Sequence, residues 1–209
     1  MAKIVILSLV AALFDLDESA FGRFMISRPI VVAPFFAWIL GDIKTGLWIG
    51  LTIELLWTSA IPMGASIPYD ITVLSILTVV WGMLAAPGND AALIVAMAVG
   101  LPVMIFFKRA ELNLRYFNIK ISHWVEKGVN EGNEHRIAQG VLLGLILYYL
   151  KAFILFLIVL YPGKLLVAFI FARLPYNVVS SFELLLLVLP VVGLGMMLVS
   201  FHNKFPCPK

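Results

Sequence analysis

Glu54 lies in the middle of an apolar stretch, Gly46-Leu-Trp-Ile-Gly-Leu-Thr-Ile-Glu-Leu-Leu-Trp-Thr-Ser-Ala60. A charged side chain at the centre of a bilayer costs at least about 2.5 to 3.5 kcal/mol on insertion scales, so a carboxylate here calls for a reason. At helical spacing Gly46, Gly50, Glu54, Trp57, Thr58 and Ile61 share one face. The glycines would let a second backbone approach closely. The glutamate, tryptophan and threonine would form a polar and aromatic patch beside them. A carboxylate accepts hydrogen bonds from neighbouring hydroxyls, and an indole covers the apolar face of a pyranose ring. Equally, Glu54 could cap an interrupted helix or pair with a buried base.

Other polar groups gather around this stretch. Asp42 follows Gly41, and Asp70 ends Ile67-Pro-Tyr-Asp70. Each follows a helix breaker, so each either caps a half-helix or faces a cavity between broken segments. Capping is the stronger reading for Asp42, while Ser66, Tyr69 and Asp70 together could hold a polyol. Lys151 is a base inside the apolar Tyr148-Tyr-Leu-Lys-Ala-Phe153. It either snorkels to an interface or pairs with a carboxylate such as Glu54 or Glu183.

The elements that must position these groups are membrane helices. Apolar residues make up 62% of the 209-residue chain and charged residues 13%, with a mean hydropathy of +1.04. Soluble domains carry about 25% charge, too much polar cover for this sequence to be one of them. The apolar runs are continuous, as in Val141-Leu-Leu-Gly-Leu-Ile-Leu-Tyr-Tyr-Leu150, and lack the alternation of barrel strands. The expected fold is therefore all-α, a polytopic helical bundle in the membrane.

Eight apolar segments are legible: Ile4–Phe14, Ile30–Leu40, Gly46–Ile61, Ile71–Ala86, Ala91–Phe107, Val141–Leu160, Leu165–Ala172 and Leu184–Phe201. A full span needs about 20 residues. Ile4–Phe14, Ile30–Leu40 and Leu165–Ala172 fall short, and read as broken or re-entrant half-helices. Breakers crowd the same zone, with Pro29, Pro34, Gly41, Gly46, Gly50, Pro62, Gly64 and Pro68 between Ser27 and Asp70. Broken backbone at membrane depth is tolerated where it is buried in protein or lines a cavity, the arrangement by which transporters bind substrate. The expected organisation is an N-terminal membrane region over 1–107 with a re-entrant core at about 27–86. A basic loop over 108–136, C-terminal segments over 137–202 and a tail over 203–209 complete it.

Lys108, Arg109, Arg115, Lys120, Lys127 and Arg136 make the 108–136 segment basic, which marks it as cytoplasmic. The spacing of Leu112, Leu114, Phe117, Ile121, Trp124 and Val125 suggests an amphipathic helix on the membrane surface or against a partner. The formal charge of +3 is too small to suggest nucleic acid. The run after Lys3 meets Asp15-Leu-Asp-Glu18 where a cleavage site would need small residues, so it reads as retained. Cys207 is the one cysteine, which leaves no internal disulfide or multi-cysteine metal site. His123, His135 and His202 lie outside the apolar runs, and no Ser-His-Asp order, zinc spacing or phosphate-binding loop is present. No cofactor and no catalytic residue are expected.

Four motifs, Ser27-Arg-Pro-Ile30, Leu40-Gly-Asp-Ile-Lys-Thr-Gly46, Ile49-Gly-Leu-Thr-Ile-Glu54 and Pro62-Met-Gly-Ala-Ser-Ile-Pro-Tyr-Asp70, closely resemble the mannose/fructose/sorbose family of phosphotransferase IIC subunits. Weaker likeness continues through the basic loop and Gly193-Leu-Gly195. The resemblance implies a plasma-membrane (inner-membrane) subunit that assembles with a membrane IID subunit, takes a hexose from outside and presents it to cytoplasmic IIB. IIB, itself phosphorylated through IIA, passes the phosphoryl group to the sugar. It also implies an elevator-like core moving past a scaffold, within an oligomer, with Glu54 and the loop from Gly64 to Asp70 at or near the sugar.

Members of that family usually run longer than Lys209, with further apolar segments. A rival expectation is accordingly a transport-inactive docking platform that works through Lys108–Arg136 in regulation. A third is an ion-coupled secondary transporter using Glu54 and Asp70 as its proton or cation site.

Overall fold

The computed structural model describes residues 2–19, 24–57, 69–130 and 135–204, and these form seven helices. They are α1 (Ala2–Ser19), α2 (Pro29–Leu40), α3 (Ile43–Trp57), α4 (Ile71–Ala85), α5 (Asp90–Asn130), α6 (His135–Ala172) and α7 (Tyr176–Lys204). The all-α expectation holds for the described residues. α5, α6 and α7 are long and apolar enough to cross a membrane, whereas α2 and α4 are shorter apolar helices.

Local chemistry sets the α2–α3 hairpin. Pro29 opens α2 at a position that needs no N–H, and it holds Arg28 extended at φ −63°, ψ 140°. Gly41 closes the helix at φ +105°, a left-handed conformation that disfavours any side chain with a Cβ. Its N–H donates to Ala37 O at 2.8 Å, and Asp42 N–H also donates to Ala37 O at 3.0 Å, so the last turn is satisfied before the chain reverses. The Asp42 carboxylate then accepts from Lys44 N, Thr45 N and the Thr45 hydroxyl, capping α3 as the sequence suggested.

Glycines set how closely the hairpin packs. A Cβ on Gly46 would lie 2.6 Å from Ala33 O, and one on Gly50 2.6 Å from Pro29 O. The glycine face read from the sequence is therefore the face that meets α2, backbone against backbone.

α4 is the central column. Every residue from Thr72 to Gly82 is buried, and the helix touches α1, α2, α3, α5 and α6. A helix that is apolar all round needs such an enclosure. Asp70 starts it by accepting from Val73 N at 3.1 Å. Near its far end Trp81 Nε1 donates to Leu160 O at 3.3 Å, while the indole lies flush against Gly163 of α6.

Two segments differ from the sequence expectation. Leu165–Ala172 is the end of α6, not a separate half-helix, because the helix runs on through Pro162. A proline removes one internal donor, which membrane helices absorb through their neighbours. The amphipathic helix expected in the basic segment is present over 108–130, but as a continuation of α5, which is a helix of 41 residues and about 60 Å, twice the hydrocarbon thickness. It pairs with the start of α6, where Val125 covers Gly140 and the Arg136 stem covers Gly128. Arg136 also stands 5.3 Å above the Trp124 ring.

Beyond the apolar part of α5, Glu111 is buried between Lys108 Nζ at 2.9 Å and Arg115 Nη2 at 2.7 Å. Burial alone would raise its pKa, but the hydrogen bonds and charges of Arg115 and Lys108 outweigh that and hold the carboxyl below its ordinary 4.5. A lowered folded-state pKa stabilises above the unfolded value and is lost as pH falls through the folded one.

Two outcomes are expected from thermal unfolding in detergent. Glu111→Gln is destabilising at pH 7, and its gap from wild type narrows once pH falls below 4.5. Gly163→Ala costs about 1–3 kcal/mol by overpacking against Trp81, and Trp81→Leu in the same chain recovers part of that loss.

Candidate functional site

The ends of several helices meet around the short segment from Phe24 to Arg28. Met25 holds a left-handed backbone at φ 64°, uncommon for a residue with a long side chain. Asp17, at the end of α1, accepts from Phe24 N at 3.1 Å and from Ser27 N at 3.2 Å. Thr72, in the first turn of α4, donates its hydroxyl to Ser27 O at 2.7 Å. The segment is thus tied to α1 on one side and to α4 on the other, and it delivers Arg28 to the face of α3.

Arg28 Nη1 lies 3.1 Å from Glu54 Oε1. About half of the arginine side chain and a fifth of the glutamate remain exposed, so a ligand can reach the pair. A guanidinium supplies donors in a fixed fork and a carboxylate supplies acceptors. Together they suit a neutral molecule rich in hydroxyls, each of which both donates and accepts.

The other expected site residues distribute as follows. Trp57, the last residue of α3, is partly buried against the apolar core. Asp70 is buried and caps α4, and Tyr69 beside it is 53% exposed. Thr58 and Ser66 lie outside the described residues. Asp42 is at the hairpin tip, engaged in capping.

Lys151 corrects the pairing expected from sequence. Its Nζ is 3.4 Å from Asp15 Oδ2 and 5.8 Å above the Tyr148 ring, so its carboxylate partner is neither Glu54 nor Glu183. The reason is tertiary: α1 packs along α6 and brings Asp15 to the lysine, while Glu54 is engaged by Arg28. Asp15 is 2% exposed and Lys151 13%, which makes this the more deeply buried of the two pairs.

Arg28, Asp15 and Asp17 were not singled out as site or pairing residues from the sequence. A usable signal existed for each. Arg28 is a charge set immediately before the proline that opens an apolar helix, and the two aspartates end an otherwise apolar one.

A buried ion pair that loses one partner leaves an uncompensated charge, at a cost of about 3–5 kcal/mol. Lys151→Met is expected to destabilise by that order, with Asp15→Leu in the same chain restoring most of it. Lys151→Met combined with Glu54→Gln is expected to be additive. Thermal unfolding of the three single and two double variants reads the coupling directly.

The family described as the PTS system sorbose-specific IIC component matches residues 1–206. The mannose-specific EIIC component of Escherichia coli K12 is 24% identical over 131 residues, 63% of this chain and 47% of that protein. The sorbose-specific EIIC component of Klebsiella pneumoniae is 26% identical over 113 residues, 54% of this chain and 41% of that protein. The chain thus spans about half the length of the curated relatives it matches. Among solved structures, a cryo-EM complex of the mannose transporter ManYZ with microcin E492 superposes with a TM-score of 0.68 at 21% identity, covering 100% of this chain and 83% of that one. A structure described only as a membrane protein gives a TM-score of 0.73 at 20% identity, covering 99% and 81%. These two likenesses establish a shared fold, and the family match over nearly the whole chain establishes more: this chain belongs to the sorbose-specific IIC component family of the phosphotransferase system.

Proposed function

We propose that this IIC chain binds a hexose-type sugar at the break between α3 and α4 and carries it through the plasma membrane for phosphorylation by a cytoplasmic IIB subunit. The observation that supports this most is the reachable Arg28–Glu54 pair, 3.1 Å apart where broken helices converge. In this reading Glu54 accepts from sugar hydroxyls and Trp57 covers a ring face. Tyr69 and Asp70 add polar groups, and Thr58 and Ser66 are further candidates from the sequence. Asp42 and Lys151 act at a distance, by closing the hairpin tip and joining α6 to α1. The mannose- and sorbose-specific names of the relatives favour a hexose. The two-component name of the ManYZ structure favours a membrane partner of the IID type.

The short helices around the break would form a mobile core, with the long α5–α7 helices as scaffold, in an elevator-like oligomer. The basic extension of α5 would face the cytoplasm and dock IIB with its donor IIA. That extension also favours the second reading, a transport-inactive regulatory platform, because Tyr116, Phe117 and Trp124 are exposed along it at 70%, 60% and 42%. Ion coupling is less well supported, since Glu54 already has a counter-charge and Asp70 caps a helix.

The deciding experiment is phosphoenolpyruvate-dependent phosphorylation of labelled hexoses by membranes carrying this chain with IID, IIB and IIA. Glu54→Gln is expected to reduce phosphorylation about ten- to a hundredfold, the effect of losing a charged hydrogen bond, while membrane insertion is unchanged. Unaltered sugar affinity in that variant would remove Glu54 from the site. No phosphorylation of any hexose by a correctly assembled complex would favour the platform.

A further inference from the structure

At the end of the bundle opposite the basic extension, α3, α5 and α7 line an open cleft of about 360 Å³. Its nearest lining residue on α3, Trp48, precedes Glu54 by about 9 Å along the helix, and none of the proposed sugar-binding residues lines it. Its volume falls within the range of about 300–1,000 Å³ for small-molecule sites. Lys44, Asp90 and Glu183 line its polar side, and Trp48, Leu186 and Leu187 its apolar side. Trp48 Nε1 donates to Leu186 O at 3.2 Å, which fixes the indole as a wall.

The three charges do not pair with one another, and the other carboxylate near Lys44, Asp42, is engaged in capping α3. Among the described residues, Lys44, Asp90 and Glu183 make no ion pair with one another or with any other side chain. One cation and two anions around one cavity complement a ligand carrying both an ammonium and a phosphate. The α7 surface running away from the cavity is apolar. Leu187, Val191, Leu194 and Leu198 share one helical face and are exposed at 63%, 66%, 48% and 68%. A tryptophan between a charged rim and such a stripe is the arrangement found at the headgroup level of membranes.

From this juxtaposition we infer that the cavity holds the headgroup of a zwitterionic aminophospholipid of the phosphatidylethanolamine class, with its acyl chains lying along the α7 stripe. Lys44 Nζ donates to the phosphate. The primary ammonium donates its N–H groups to Asp90 and Glu183, charge-assisted bonds that a quaternary choline cannot make for lack of N–H. A phosphatidylglycerol headgroup has no cation to offer the two carboxylates. A sugar fits less well, because its hydroxyls on one side would face Leu186 and Leu187 with no partner.

The test uses the full delipidated chain in detergent, with thermal unfolding and native mass spectrometry after adding phosphatidylethanolamine, phosphatidylcholine or phosphatidylglycerol with identical acyl chains. Phosphatidylethanolamine is expected to be retained and to raise the unfolding midpoint more than either of the others. Asp90→Asn with Glu183→Gln, or Lys44→Gln alone, is expected to weaken its binding about tenfold or more. Lys120→Gln with Lys127→Gln, on the basic extension, should leave binding unaltered. Equal effects of all three lipids would overturn the inference, as would undiminished phosphatidylethanolamine selectivity in the cavity variants. Displacement of the lipid by soluble glycerophosphoethanolamine at equal concentration would also overturn it, since the cavity would then take the soluble headgroup by itself. The lipid comparison on the unaltered chain decides the matter even where a variant folds poorly.

Discussion

Helices that end inside an apolar slab must find partners for the backbone groups that their ends leave unbonded. The interior of this protein is organised around that requirement. Asp17 takes two N–H groups of the segment entering α2, Asp70 takes one from α4, and the Thr72 hydroxyl serves Ser27 O. Asp17, Asp70 and Thr72 are there first because the backbone needs them. An anionic cap at the start of α4 also sits at the positive end of the helix dipole, which lowers the cost of a buried carboxylate. A polar layer inside the bundle is the consequence, and the layer supplies groups for recognising a polar ligand.

The rest of the bundle keeps that layer in place. α4 is enclosed by five other helices and brings Asp70 and Thr72 to the break from a column with no exposed face. Gly46 and Gly50 let α3 lie directly on α2, which fixes the distance over which Arg28 reaches Glu54. α6 and α7, by contrast, expose long apolar side chains along their outer faces. Lipid or another membrane subunit can cover such faces at no cost in hydrogen bonds.

How much could be read from the sequence follows from the range of each interaction. The membrane class, the break at Gly41, the glycine face of α3 and the cap at Asp42 are set within a few residues, and each was legible. Asp70, by contrast, was read as either a cap or part of a polyol site. The partners of Glu54 and Lys151 were not legible. They are 26 positions away in the first case and on α1 in the second, and a chain with several carboxylates offers no local rule for choosing among them. Continuity through Pro162 was hidden for a related reason. A proline is a breaker by local chemistry, and only the packing around α6 decides whether its missing bond matters. In the basic segment the helix was legible from its spacing, but its continuity with α5 was not, because charge marked it as a separate polar stretch.

The charge pairing at the break also bears on what such a site can select. A cation approaching Glu54 competes with a guanidinium held 3.1 Å away. At about 4 Å and an effective dielectric of about 20 that attraction is about 4 kcal/mol, less where water reaches the exposed part of Arg28. An anion approaching Arg28 meets the same obstacle with the signs reversed. A neutral polyol meets neither. Its hydroxyls can bridge the pair, donating to the carboxylate and accepting from the guanidinium, without separating the charges. If the proposed site is the sugar site, a closed pair of this kind would favour a neutral sugar over an ion, whereas a carboxylate alone at the same position would favour a cation.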